Sequence, residues 1–127
     1  MINQQQLALY LHELLNCPQF SDYAPNGLQV EGCCEIEVIC TAVTASFDAI
    51  EQAIQQNADA LLVHHGYFWR GENACITGMK QKRIKNLLAH NMNLFAYHLP
   101  LDCHPDLGNN ACLANMLGIQ TPEMHDV

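Results

Sequence analysis

Two stretches of the chain, Val63-His64-His65-Gly66-Tyr67-Phe68 and Tyr97-His98-Leu99-Pro100-Leu101-Asp102-Cys103-His104, carry four of its seven histidines, each at the end of an apolar run. Neutral imidazole nitrogen and carboxylate oxygen are the ligands that zinc, iron, manganese and nickel accept. If the two runs are neighbouring strands, their ends lie side by side and His64, His65 and Asp102 converge on metal. Adjacent histidines inside a strand point to opposite faces. Here Gly66 follows them, and the backbone turns at a glycine without a Cβ penalty, so both rings are expected to lean into one cleft. A pair of ions about 3.5–4 Å apart usually shares a bridging carboxylate. Asp102 is the candidate for it, expected in an extended loop because Pro100 disfavours helix there.

The other polar groups nearby are less definite. His98 reads as a ligand, a proton shuttle or a structural histidine, with a supporting position behind the metal or a substrate contact favoured. Cys103 is a softer ligand than a carboxylate site prefers. His104 and Asp106 flank Pro105 and read as loop residues, and His12, His90 and His125 as helix or tail positions. Tyr67, Phe68 and Trp69 are expected to pack against the protein, although their place beside the histidines leaves base stacking open. No G-x-S-x-G elbow, P-loop or G-x-G-x-x-G occurs in the sequence.

The elements that must position these groups follow from periodicity. Leu7, Tyr10, Leu11, Leu14 and Leu15 mark an amphipathic helix over residues 4–16, with Asn3 as its cap and Pro18 beyond its end. Residues 21–27 collect turn formers, and Leu28–Val30 is a short strand candidate. Ile36–Val43 reads as a strand. A helix over Phe47–Gln56 follows, capped by Thr44 or Ser46 and closed near Asn57. Ala60–Val63 is a buried strand and residues 69–79 a loop. Lys80–His90 is a helix burying Ile84, Leu87 and Leu88, Leu94–Tyr97 a further buried strand, and Asn109–Leu117 a helix ended by Gly118. Strand, helix, strand, helix, strand over residues 36–97 predicts consecutive βαβ units, hence an α/β fold with a largely parallel sheet flanked by helices. Right-handed crossovers bring the strand C-termini to one edge, where ligands bind in such sheets.

Composition narrows the function classes. The chain has 127 residues, half of them apolar and 14% charged, and reads as one globular domain over 1–127. A net charge of −8 argues against a nucleic-acid surface. All five basic residues (Arg70, Lys80, Lys82, Arg83, Lys85) fall in one window, either a solvated helix face or a cationic rim that attracts an anionic substrate. No segment approaches the roughly 18–20 apolar residues of a membrane span, and the N-terminus lacks the features of a signal peptide. Seven cysteines without regular spacing predict reduced thiols and a cytoplasmic setting.

With these residues assembled, the chain resembles the NIF-three-like (YbgI) family, whose bacterial members are described as GTP cyclohydrolase 1 type 2 homologues. The segments that carry the resemblance are SDYAPNGLQVEG at Ser21–Gly32, ADALLVHHGYFWRGE at Ala58–Glu72 and YHLPLDCHPDLGNN at Tyr97–Asn110, with TAVTAS at Thr41–Ser46 between them. The resemblance implies metal ligation by His64, His65 and Asp102, the positions already reached from residue chemistry. It also implies two divalent ions, completed by a His and a Glu from a later G-H-H-x-x-E-type motif. The 127 residues lack that motif, so the chain reads as the N-terminal part of a longer family member. A hexameric toroid of identical subunits, and opening of the guanine ring of GTP by metal-activated water, are further implications. The general expectation is a metal-dependent hydrolase acting on a small molecule, a nucleotide being one candidate. The competing readings are a non-enzymatic metal-binding scaffold or interaction module, and a histidine pair serving only the core.

Overall fold

The computed structural model describes residues 1–120 and Glu123. Helices flank a largely parallel four-stranded sheet, the α/β arrangement expected. In chain order the elements are β1 (Ile2–Asn3), α1 (Gln4–Leu14), a single 3-10 turn (Cys17–Gln19), β2 (Gly27–Val30), β3 (Glu35–Ile36), β4 (Ile39–Thr44) and α2 (Phe47–Gln55). They continue with β5 (Ala60–His65), α3 (Gly78–Ala89), β6 (Asn93–Ala96), α4 (Leu99–Cys103) and α5 (Asn109–Met116). The main sheet has the order β2-β6-β5-β4, and β1 pairs with β3 in a separate ribbon. β4, β5 and β6 run parallel, joined through α2 and α3, while β2 lies antiparallel against β6.

The caps show why the helices start where they do. The Asn3 side chain accepts from Gln5 N, and the Ser46 hydroxyl accepts from Ala49 N, each satisfying an amide that no helical carbonyl reaches. Ser46, not Thr44, is therefore the cap of α2. Asn57 follows that helix at φ 53, the left-handed conformation that ends a helix.

Side chains alternate across the sheet. Leu61 and Val63 of β5, with Leu94 and Ala96 of β6, pack with Ile50 of α2 and with Ile84 and Leu87 of α3. Ala60, Phe95 and Tyr97 face the other way, against Leu7, Leu15 and Cys17. Leu61, Leu87 and Phe95 are at most 1% exposed, and burial of each such side chain contributes about 1.5–3 kcal/mol. Two residues assigned to buried faces from periodicity lie outside: Tyr10 is 59% and Leu88 54% exposed, because each helix covers the sheet with a narrower stripe than its apolar content implies.

One expectation fails at the site itself. Asp102 is not in an extended loop; it sits in the short helix α4, whose first turn contains Pro100. The missing amide of proline is not needed at the start of a helix, where the first amides have no intrahelical acceptor, so Pro100 initiates this turn.

Candidate metal centre

β5 and β6 finish side by side, and β2 starts at the same edge because it runs the opposite way. Two loops close over this edge, residues 21–26 before β2 and residues 66–72 after β5. The His64 and His65 rings have centroids 4.4 Å apart, and His98, just beyond β6, lies 5.0 and 5.7 Å from them. One ring nitrogen from each of the three lies within 4.8 Å of the others, a spacing that one ion can bridge. Adjacent strand residues diverge along the length of β5, but these two are its last, and their rings converge over its end.

Gly66 makes room here in a different way from that expected. Its φ is not among the positive ones, and a Cβ at this position would collide with Gln29 Oε1. The space belongs to the Gln29 side chain, which accepts from Tyr67 N at 3.1 Å and donates to Pro25 O at 3.0 Å. The glycine thus lets β2 and the loop after β5 be tied together.

Each imidazole is held by its Nδ1 atom. His64 donates to the Tyr97 carbonyl at 2.9 Å, so its Nε2 carries the lone pair. His98 donates to Asp22 Oδ1 at 3.0 Å, and His65 Nδ1 lies 3.2 Å from the Thr44 hydroxyl. Hydrogen bonding at one ring nitrogen fixes the tautomer and aims the other, as in histidines that bind metal. His64 Nε2 lies 3.3 Å from Asp102 Oδ1. Two lone-pair atoms facing each other at that distance call for a proton on the nitrogen or a cation shared between them. Burial, then the electrostatic influence of the neighbouring His64 and His98, pulls the His65 pKa below the ordinary imidazole value against the opposing pull of Asp102. His65 is therefore neutral near pH 7, the form that binds metal. Neutral imidazoles beside a carboxylate suit zinc, iron, manganese or nickel.

Nothing local in the sequence singles out Asp22, which reads there as one turn former among several. Its side chain is only 3% exposed. Oδ1 accepts the bond from His98 and also accepts from Tyr23 N and Ala24 N; Oδ2 accepts from Asn26 Nδ2 and Leu99 N. Burial pushes this carboxyl up, but the hydrogen bonds from His98, Asn26 and Leu99 outweigh it and leave the pKa below the usual carboxylate value. The Asn26 side chain adds a bond from His98 N at 2.7 Å. One clue does lie in the sequence: Asp22 begins the D-Y-A-P-N-G run, whose Asx turn is built by the same oxygen.

The remaining candidates fall away from the centre. Cys103 and His104 are not in the three-histidine cluster, and His104 Nδ1 accepts from Asp106 N and Leu107 N within its own loop. His12 lies on α1, His90 Nδ1 donates to Asn86 O at the end of α3, and His125 lies outside the described residues. None of the seven cysteines is in a disulfide. Tyr67 is buried and donates to Ala45 O at 2.6 Å. Lys80 and Arg83 lie over the Phe68 and Tyr67 rings, which occupies two of the five basic side chains with packing. An almost wholly apolar cavity of about 470 Å³, walled by residues such as Leu11, Leu14, Leu62 and Leu101, opens on His64. Among the described residues no helix is long and apolar enough to cross a membrane.

The sequence profile of the Duf34/NIF3 (NGG1p interacting factor 3) family matches residues 2–127. The chain belongs to the Duf34/NIF3 family. This NIF3-family chain is 60% identical over 119 residues to the GTP cyclohydrolase 1 type 2 homolog of Pasteurella multocida, covering 94% of this chain and 47% of that protein. The Escherichia coli K12 protein of the same description is 55% identical over 114 residues, covering 90% and 46%. Among solved structures, protein ybgI, described as of unknown function, superposes with a TM-score of 0.91 at 53% identity over 92% of this chain and 47% of its own. TTHA1606 from Thermus thermophilus gives 0.87 at 39% identity over 92% and 48%. The NIF3-family chain thus spans about half the length of the relatives it matches.

Proposed function

We propose that this NIF3-family chain contributes a divalent-metal site to a hydrolase acting on a small molecule. The single observation that carries the reading is the set of three convergent imidazoles whose Nδ1 atoms are already hydrogen-bonded. His64, His65 and Asp102 serve as ligands, and His98, braced by Asp22, either joins them or moves a proton beside them. A bound ion of this class supplies a water acidic enough to attack near neutral pH. The protein's own contribution is positional: Tyr97 O, Thr44 and Asp22 hold the rings, and the apolar wall beside His64 limits competing water. We read these residues as part of a two-ion centre. The name borne by the relatives directs the search for a substrate to GTP, and purine nucleotides are the small-molecule class we put forward.

Elemental analysis of the purified protein, joined to a turnover screen over nucleotides and phosphoesters, tests this. We expect at least one zinc, iron, manganese or nickel ion per chain, activity lost on chelation and restored by metal, and kcat/KM lowered roughly 100-fold or more in Asp102→Ala. Hydrolysis indifferent to chelation and to Asp102→Ala overturns the reading. Full metal occupancy with no turnover supports the scaffold alternative instead.

A further inference from the structure

The loop after β5 places three aromatic residues in a row, and they have different environments. Tyr67 and Phe68 turn inward, where Tyr67 is 6% exposed and Phe68 packs against the core. Trp69, the one tryptophan of the sequence, turns to the histidines. Its ring lies 4.9 Å from His98, nearly perpendicular to it, and 5.9 Å from His65. Tyr23, from the loop before β2, lies 5.9 Å from Trp69 and 5.0 Å from His98 while half its surface faces solvent. Asp102 approaches His64, so the aromatic pair flanks the other two imidazoles.

The two loops that carry these rings are tied to each other through their backbones. Arg70 N donates to Tyr23 O at 2.7 Å and Arg70 Nη2 to Asp22 O at 3.0 Å, clasping one loop to the other. Tyr23 N donates to Asp22 Oδ1, and Glu72 N closes a turn onto Trp69 O. A half-exposed aromatic surface costs free energy in water, and a polar, metal-binding site has no need of one for its own chemistry. A flat π-system placed there gains dispersion and electrostatic attraction, and the tied loops with the rings already against one another and the imidazoles lower the cost of ordering the wall.

We infer that Trp69 and Tyr23 form a stacking wall that receives the planar heteroaromatic ring of the substrate, of nucleobase type, beside His65 and His98. This deepens the proposed function by naming the part of the substrate that is recognised, and it rests on that reading only for the location of the site.

The test is equilibrium binding without turnover. Guanosine monophosphate, adenosine monophosphate and ribose 5-phosphate are titrated against the metal-loaded protein, reading Trp69 fluorescence as the difference between wild type and Trp69→Phe and affinity by calorimetry. Saturable quenching by either nucleotide is expected, with ribose 5-phosphate binding at least about tenfold more weakly. Trp69→Ala should weaken the nucleotide about tenfold with metal content unchanged, Trp69→Phe should retain most of the affinity, and Tyr23→Leu should lose several-fold. Equal affinity for nucleotide and ribose 5-phosphate overturns the inference. So does unchanged nucleotide affinity in Trp69→Ala and Tyr23→Leu. Loss of metal together with nucleotide in Trp69→Ala also overturns it, since the ring would then be a prop for the imidazoles. A protein that binds the ring but never hydrolyses it defeats the hydrolase reading and leaves this one standing.

Discussion

The same sheet carries a polar cluster at each end, and the two are built on opposite terms. Where β5 and β6 begin, Asn93 is fully buried and spends its whole hydrogen-bonding capacity: Oδ1 accepts from Gln4 Nε2 and Gly32 N, and Nδ2 donates to Cys33 O and Asp59 O. Gly32 is pressed so close there that a Cβ would run into the Asn91 carbonyl. Where the strands finish, each histidine uses its Nδ1 for the protein, and a ring nitrogen of each of the three lies within reach of the other two. An exhausted buried polar group holds a fold together, whereas a half-used one is available to something else. Burial alone does not separate the two clusters, since Asn93 and His98 are both buried; residual capacity does.

The largest effect expected from breaking that contrast is at the exhausted end. Asn93→Leu strands the Gln4 and Gly32 donors and the Cys33 acceptor, while Asp59 O keeps its bond from the backbone N of residue 93; at about 1 kcal/mol or more for each orphaned group the loss is about 3 kcal/mol. Urea denaturation should register it, while whatever protein remains folded keeps its metal. A stability loss under about 1 kcal/mol would remove the distinction between the two ends.

Next comes Asp22→Asn, which acts at the available end. An amide cannot accept on both sides, so the His98 brace or the Asn26 and Leu99 bonds must fail. Metal affinity by competition with a chelating dye should fall roughly 10–100-fold. If affinity is unchanged, Asp22 is only a turn residue.

Acid titration sharpens the comparison at lower cost to the fold. Bonds from Val38 N and Glu37 N hold the Asp59 carboxyl below its usual pKa despite some burial. A folded pKa below the unfolded value of about 3.9 stabilises the protein above that pH and is lost as pH falls through the folded value. Stability measured from about pH 6 to about pH 2 should therefore decline below about pH 4, and Asp59→Asn should flatten the decline. An identical acid limb in the variant counts against this assignment.

The smallest effect belongs to Thr44→Val, which removes only the hydroxyl against His65 Nδ1. Metal affinity should drop a few-fold and stability by about 1 kcal/mol or less. A drop as deep as that of Asp22→Asn would show that all three imidazoles depend equally on their braces.

How much of this can be read from the residues differs by kind. The βαβ order is legible because β4, α2, β5, α3 and β6 each have a clear period, and the place of His64 and His65 at the end of β5 follows from it, whereas Asp102 lies beyond β6 in α4. β1 and β3, two residues each, are too short for any period to register. The antiparallel course of β2 depends on the path of residues 31–34, which composition does not fix. Pro100 misleads because proline stops a helix in its interior and starts one at its first turn. Asp22 and Asn93 escape a local reading for a shared reason: their partners are 60–90 positions away, or are backbone groups with no sequence signature. Local pattern finds groups able to bind; the groups that aim them are set by tertiary contact.

The bond from His64 to the Tyr97 carbonyl couples the two strands in a way that reaches beyond the ring itself. Tyr97 O belongs to the backbone that continues β6, so the bearing of the imidazole is surveyed from the next strand over. Any repacking beneath Phe95 or Tyr97 that shifts β6 against β5 swings the ring as a compass needle swings with its mount. Evolution can thus retune the aim of the proposed cation ligand by editing hydrocarbon in the interior, leaving every polar residue of the cleft as it was.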